Sequence, residues 1–377
     1  MINFFKRIIF LKFEFEKPKK VDIILLDDNY ANLKFEKSIK TKIKKRNVIN
    51  SYIFIKAFFS LISFKKNNLR DIYFKKYIEA YDPIIAIGHE YNGNIFRFKK
   101  LFPQKKSIAY QLADQGDFFS ETSKKMIKKN LNFDLISDYF LVKNEYSKNF
   151  YSFIKSEFII AGSVKNNEIE IEKQNKKFDI MFISQFRSKI ESYFGTNNNI
   201  GTMRSIDSST SYVLKILKNI SKTYNKSIVV ALTSSRRDKK YKIDSNFKRN
   251  EIQFFKRDLG EFNYEDIDAT ALAEKSKIIV TINSTLGFEL LSRGMKVLFL
   301  DIHHYLGGSP LENIVDSKSG FYWYKGENKK EIEEKILNLF KITNDDWKKN
   351  CLNNSPIKFD PKNSMLKKLV KNLIQAN

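Results

Sequence analysis

The residue types best suited to chemistry fall between Ile278 and Asp301, in the string IIVTINSTLGFELLSRGMKVLFLD. A run of buried-strand character ends at Thr281, Asn283-Ser284-Thr285-Leu286-Gly287 follows, and Phe288-Glu289-Leu290-Leu291 opens a helix that stops at Gly294. Two hydroxyls, a glycine and unpaired amides thus meet at a helix N-terminus, where N–H groups and the positive end of the helix dipole hold a phosphate. Glu289, one turn in, has the reach for a ribose diol. Ser284 and Thr285 are equally ordinary helix caps, and the spacing alone leaves both roles open. Metal chemistry has few ligands here: the chain has one Cys and three His, and the adjacent His303 and His304 point to opposite faces of an extended segment. No metal site is expected, and Cys351 alone excludes a disulfide framework, as suits a reducing cytoplasm.

These residues need a scaffold, and the chain spells one out. Apolar runs of strand length alternate with amphipathic stretches, the signature of an α/β fold built on parallel sheets. The spacing predicts strands at 21–26, 83–88, 107–111, 139–142 and 158–162, then a second set at 178–183, 227–232, 278–281 and 296–300. Helices are expected from Ser211 to Tyr224, where Val213, Leu214, Ile216, Leu217 and Ile220 share a face, from Lys329 to Leu339, and from Met365 to Ile374. The polar segment SVKNNEIEIEKQNKK between Gly162 and Phe178 reads as an interdomain linker. Two domains result, 1–165 and 166–350, with 351–377 as a C-terminal helix that crosses back to the first.

The 377 residues suffice for two domains, and with 42% hydrophobic residues the chain is globular. Its net charge of +25 has three candidate causes: compositional bias toward Lys, Asn, Ile and Phe, an anionic membrane, or nucleic acid. Basic runs such as Lys42-Ile43-Lys44-Lys45-Arg46 and Lys124-Lys125-Met126-Ile127-Lys128-Lys129 sit among abundant Asn and Ile, as bias produces. No nucleic-acid motif is present, and no nucleic-acid partner is expected. The N-terminal MINFFKRIIFLKFEFEKPKK is interrupted by charge, and no window is long and apolar enough for a membrane span.

The string Ser284-Thr285-Leu286-Gly287-Phe288-Glu289-Leu290-Leu291-Ser292-Arg293-Gly294 followed by Lys296-Val297-Leu298-Phe299-Leu300-Asp301 resembles the donor-nucleotide motif of GT-B glycosyltransferases that build bacterial capsule and surface carbohydrate. The likeness is to the bacterial surface carbohydrate biosynthesis protein group and to capsular and O-antigen β-Kdo transferases. Asp138 to Tyr146, Ile160 to Asn167, Ile180 to Arg187 and Phe321-Tyr322-Trp323 resemble further pieces in the same order, so that the likeness spans about residues 80–350. It implies two Rossmann-like domains facing across a cleft, the C-terminal one holding a nucleotide sugar and the N-terminal one a glycan or lipid-linked glycan acceptor, without an obligatory metal. For the β-Kdo transferases it implies a CMP-Kdo donor and retention, a carboxylate attacking the anomeric carbon.

By position in that family, Asp207 is the candidate nucleophile, although Asp207-Ser208-Ser209-Thr210 is also a helix N-cap pattern. Gln185 and Arg187, just past a strand, are placed to touch sugar or phosphate. In the first domain Glu90 is the candidate general base, with Asp114 and Asp117 behind it. One departure stands out: the capsule enzymes carry Lys-x-His-Pro after the second strand of the donor domain, whereas this chain has Val230 to Arg237 with no His, leaving Arg236 or Arg237 for phosphate. The rival readings are a CDP-polyol phosphotransferase of teichoic-acid type, which relies on paired His, and a basic nucleic-acid-binding protein. The enzyme is expected in the cytoplasm, with peripheral contact to the anionic inner membrane face.

Overall fold

Alternation of side chains along each strand, combined with burial on both faces, organises the first half of the chain. The computed structural model describes residues 12–27, 33–45, 48–63, 69–112, 134–170, 174–186, 198–237, 245–282, 284–302, 317–352 and 356–376. Strands β1 (Lys12–Glu14), β2 (Ile23–Leu25), β3 (Thr41–Ile43), β4 (Val48–Asn50), β5 (Ile85–His89), β6 (Lys106–Tyr110), β7 (Ile136–Val142) and β8 (Lys155–Ile160) come first. Six of them form a sheet in the order β3-β2-β5-β6-β7-β8, with every described ladder parallel. Ile24, Leu26, Ala86, Ala109 and Phe140 bury one face under the helices Leu69–Tyr81 and Asn94–Leu101. Ile23, Leu25, Ile85, Ile87 and Ile108 bury the other, where Leu366, Val370 and Leu373 of the C-terminal helix Ser364–Gln375 join them. A parallel sheet needs such cover on both sides.

Strands β9 (Phe178–Ile183), β10 (Ile228–Ala231), β11 (Ser276–Thr281), β12 (Val297–Asp301) and β13 (Trp323–Lys325) form a second parallel sheet in the order β10-β9-β11-β12-β13. Its core includes Ile180, Phe182, Val229, Ile279, Val280 and Leu298 with Leu214, Leu217 and Phe255 from the covering helices. The chain divides into two compact units accordingly. Residues 1–112, 124–168 and 360–377 make the first, and 113–123 with 169–359 the second.

All nine expected strands are present within two or three residues of their expected ends. Four further strands, β1, β3, β4 and β13, were not expected. β3 overlaps the start of the basic run Lys42 to Arg46, and an edge strand flanked by Lys is how a sheet discourages pairing with other chains. The expected linker also begins differently. Val164–Asn167 is a helical turn capped by Ser163, and buried Asn167 donates to Ala161 O at 2.9 Å and to Asn363 Oδ1 at 3.0 Å. The Asn167 side chain is polar yet buried because Asn363 and the Ala161 carbonyl satisfy it, which local composition does not reveal.

Candidate functional site

Topology singles out one place in the second sheet. From β9 the chain goes to β10 on one side, then returns to β11 on the other, so the carboxyl ends of β9 and β11 flank a switch point, where open α/β sheets bind ligands. Val280 pairs with Phe182 there, which brings Ser184-Gln185 beyond β9 and Ser284 beyond β11 to the same edge. Gln185 is half-buried at this edge.

The loops are held by a carboxylate that the sequence reading did not single out. Glu251, fully buried on helix Ser245–Leu259, accepts from Ser184 Oγ at 2.5 Å, Thr233 N at 2.7 Å and Ser234 N at 2.9 Å. Thr233 Oγ1 in turn donates to Ser184 O at 3.1 Å. One charge thereby ties the ends of β9 and β10 together through charge-assisted hydrogen bonds. A signal existed: Glu251 lies on the same helical stripe as buried Phe255 and Leu259, four and eight residues on.

Beyond β11, Ser284 occupies the N-cap of helix Thr285–Ser292 in an extended backbone conformation, yet its side chain makes no capping hydrogen bond. Its amide donates to Thr281 Oγ1 at 3.3 Å. Gly287 lets this helix lie unusually close to the sheet, since a Cβ there would stand 2.8 Å from Thr281 Cγ2 and 3.0 Å from two Phe299 ring carbons. At the far end Gly294, with φ of 81°, donates to Leu291 O while Met295 N reaches Leu290 O, a Schellman stop. Glu289 is 7% exposed and faces Arg293, whose guanidinium is drawn down by burial and back up by Glu289 and Glu274. Arg293 also donates to Ile169 O at 2.8 Å and lies 4.5 Å from the Phe359 ring centre.

Asp207 requires a correction of context. Asp207 is not at a helix N-cap: it lies well inside the 27-residue helix Asn198–Tyr224. A Ser-Ser-Thr run is tolerated within this helix partly because the Ser209 hydroxyl donates to Ile302 O at 2.9 Å, at the end of β12. The Asp207 carboxyl is half-buried; burial pushes its pKa up, and Arg257 pulls it back. Arg257 itself donates to Asp258 Oδ2 at 2.6 Å.

At the carboxyl edge of the first sheet, Glu90 is fully buried. Its Oε1 and Oε2 accept from Leu112 N at 3.0 and 2.9 Å, and Oε1 also from Tyr151 Oη at 3.2 Å. Burial pushes this carboxyl up against the opposing pull of His89, the Leu112 amide and Lys143. Next to it, the Tyr91 amide donates to His89 Nδ1 at 3.2 Å, and His89 Nε2 lies 2.6 Å from buried Asp27 Oδ2. Gln111 Oε1 accepts from the Lys143 amide at 3.0 Å. Asp27, His89, Glu90, Gln111 and Lys143 thus lie at the carboxyl ends of four neighbouring strands and are all buried. Arg187, Asp114, Asp117, Asn283, His303 and His304 lie outside the described residues. Among the described residues, no group of three His, Cys, Asp or Glu converges as metal ligands, and no helix is long and apolar enough to cross a membrane.

The family model described as "putative O-antigen biosynthesis protein" matches residues 109–374. The chain belongs to this O-antigen biosynthesis family. No curated protein matches it in sequence. Among solved structures, a protein titled a putative UDP-N-acetylglucosamine 2-epimerase from Listeria monocytogenes aligns at 12% identity and a TM-score of 0.58, over 95% of this chain and 98% of that one. The UDP-GlcNAc 2-epimerase from Neisseria meningitidis bound to UDP-GlcNAc aligns at 13% and 0.51, over 95% and 100%. Sucrose-phosphate synthase from Thermosynechococcus elongatus aligns at 11% and 0.50, over 95% and 88%. These likenesses establish the fold of the O-antigen family member as GT-B, two parallel-sheet α/β units.

Proposed function

We propose that this protein is a glycosyltransferase of bacterial surface polysaccharide synthesis and that its second unit holds the nucleotide-sugar donor at the carboxyl ends of β9 and β11. The observation that carries the reading is the Thr285–Ser292 helix, held against the sheet at the switch point with the Ser284 hydroxyl unused for capping. The Thr285 amide and the Ser284 and Thr285 hydroxyls would receive phosphate oxygens, Gly287 sets their depth, and Gln185 approaches from β9, with Arg187 the other expected contact by sequence. Glu289 serves the ribose. The acceptor, a glycan or lipid-linked glycan, falls to the first unit, where Glu90 is the candidate base; Asp114, the other candidate by sequence, lies outside the described residues. The enzyme would work in the cytoplasm, peripherally at the inner membrane face.

The finer reading is Kdo transfer from CMP-Kdo with retention through Asp207, and it rests on the motif resemblance. A carboxylate attacking the anomeric carbon would form a glycosyl ester and release CMP. The acceptor hydroxyl would then displace the carboxylate, losing its proton to a base. A second reading is favoured by the full-length fold likeness to UDP-GlcNAc 2-epimerases: a UDP-sugar substrate, with epimerisation in place of transfer.

Thermal shift with CMP, CDP, UDP and GDP separates these. A nucleotide at 100 times its Kd adds about 2.7 kcal/mol of stability, which in a unit of this size raises its melting temperature by roughly 5–10 °C. Stabilisation by none of the four refutes nucleotide binding; stabilisation by UDP alone favours the second reading. Intact mass after incubation with CMP-Kdo should show an adduct in the wild type and none in Asp207→Ala, and no adduct in either removes the covalent route.

A further inference from the structure

The first unit carries a face that the transfer reading does not use. Helix Ser51–Ser63 buries Ile53 and Ala57 and turns Tyr52, Ile55, Phe58 and Phe59 to solvent. Phe13 of β1 and Phe15 just after it are also exposed, and β1 pairs with β4, which runs directly into this helix. Nine large hydrophobic side chains are exposed among the described residues, and six of them come from this helix and the β1 segment paired beside its start. Such a concentration marks an interaction surface. Adjoining it is a cavity of about 740 Å³ lined by Phe13, Val48, Ile49, Phe54 and Leu69, with Lys44 and Arg70 on its wall. That volume lies in the ~300–1,000 Å³ range of ligand pockets.

The surrounding charge indicates what covers the face. Residues 12–70 hold 15 Lys and Arg against 6 Asp and Glu. Lys12, Lys45, Lys56 and Arg70 are exposed, and the helix itself has no acidic residue. The acidic residues beside the face, Glu14 and Glu16, lie 3.3 and 3.9 Å from Lys42. The eleven residues before β1, MINFFKRIIFL, continue the same apolar and basic mix in sequence. A second copy of this chain would bring cations against cations. An anionic bilayer supplies both what the aromatic side chains need and what the cations need.

We propose that this face seats the protein on an anionic lipid bilayer. The side chains of Tyr52, Ile55, Phe58, Phe59, Phe13 and Phe15 enter the boundary between headgroups and acyl chains, and Arg70 and Lys44 meet lipid phosphates at the cavity. The inference deepens the peripheral contact proposed above but requires no particular donor or reaction. The face also precedes residue 109, where the family match begins.

The test is co-sedimentation of the full chain with vesicles of phosphatidylcholine alone or with about one third phosphatidylglycerol, at low and high salt, where each surface cation is worth on the order of fivefold in binding. The wild type is expected to pellet with anionic vesicles at low salt and much less at high salt or with neutral lipid. Ile55→Glu/Phe59→Glu should lower binding at least tenfold at an unchanged melting temperature. Lys45→Gln/Arg70→Gln should weaken it several-fold and flatten its salt dependence. Wild-type binding by the Ile55→Glu/Phe59→Glu protein overturns the proposal, as does failure of the wild type to bind anionic vesicles. A solution dimer that the Glu substitutions dissociate would also overturn it, giving the face to a second copy. Nucleotide-induced thermal shifts should be identical in the wild type and both variants, so failure of vesicle binding and failure of the donor reading are read separately.

Discussion

Gly287→Ala tests whether helix Thr285–Ser292 is held where a donor phosphate needs it. In an ordinary helix the change would stabilise by up to about 1 kcal/mol, because Gly carries the larger backbone entropy cost. Here the new methyl would stand 2.8 Å from Thr281 Cγ2 and 3.0 Å from the Phe299 ring, itself stacked on Phe288 at 4.3 Å between centroids. Thr281 is β-branched and fully buried on β11, so neither neighbour yields cheaply. Overpacking of this kind costs about 1–3 kcal/mol. The expected net loss is about 1–2 kcal/mol, read as a fall of roughly 3–6 °C in the melting transition of the second unit. Thr281→Ser removes Cγ2 and keeps the Oγ that accepts from the Ser284 amide. The double variant should therefore recover part of the loss, with a coupling of about 0.5 kcal/mol or more in urea unfolding. Stabilisation by a nucleotide should fall together with stability in Gly287→Ala. A variant as stable as the wild type, with no coupling to Thr281, would refute the close-approach argument.

Other consequences follow from the same geometry. Glu251→Gln leaves one carbonyl to serve Ser184 Oγ and the Thr233 and Ser234 amides, and should cost about 2–3 kcal/mol in urea unfolding; a neutral or stabilised variant would show the carboxylate to be a desolvation burden. Acid should destabilise the second unit. Burial alone would raise Asp179, but Lys277 and the amide and hydroxyl of Ser227 hold it below its ordinary value, and Lys177 and Lys275 do the same for Glu265. Groups lowered in the folded state bind fewer protons there than in the unfolded chain. Their contribution is complete above the unfolded values, near 4, and is lost as pH falls through the folded ones. Unfolding midpoints measured from pH 7 to 3 should drop below about pH 5, less steeply in Asp179→Asn; a flat profile would contradict the assignment.

The parts of this protein that depend on local period are written in neighbouring residues. Nine strands were legible because each carries a short apolar run, most of them buried on both faces of a parallel sheet, and the helix stop at Gly294 because a left-handed residue there favours glycine. Strands β3 and β13 were not, since each is three residues long, half-exposed and carries Lys or Tyr in place of an apolar run. Ser284, Gln185 and Gly287 were legible as a sheet-edge group, for strand ends and helix starts are written in neighbouring residues. What those residues touch depends on long-range packing. Gly287 answers to Phe299 across the sheet. Asp207 sits inside a helix that tolerates Ser209 through a carbonyl 93 residues away. Glu251 draws its three donors from loops 17 to 67 residues distant, and His89 faces an aspartate 62 residues earlier. Period and propensity act between near neighbours. The satisfaction of a buried charge depends on donors that only folding brings within 3 Å, which is why the scaffold could be read from the chain and the polar interior could not.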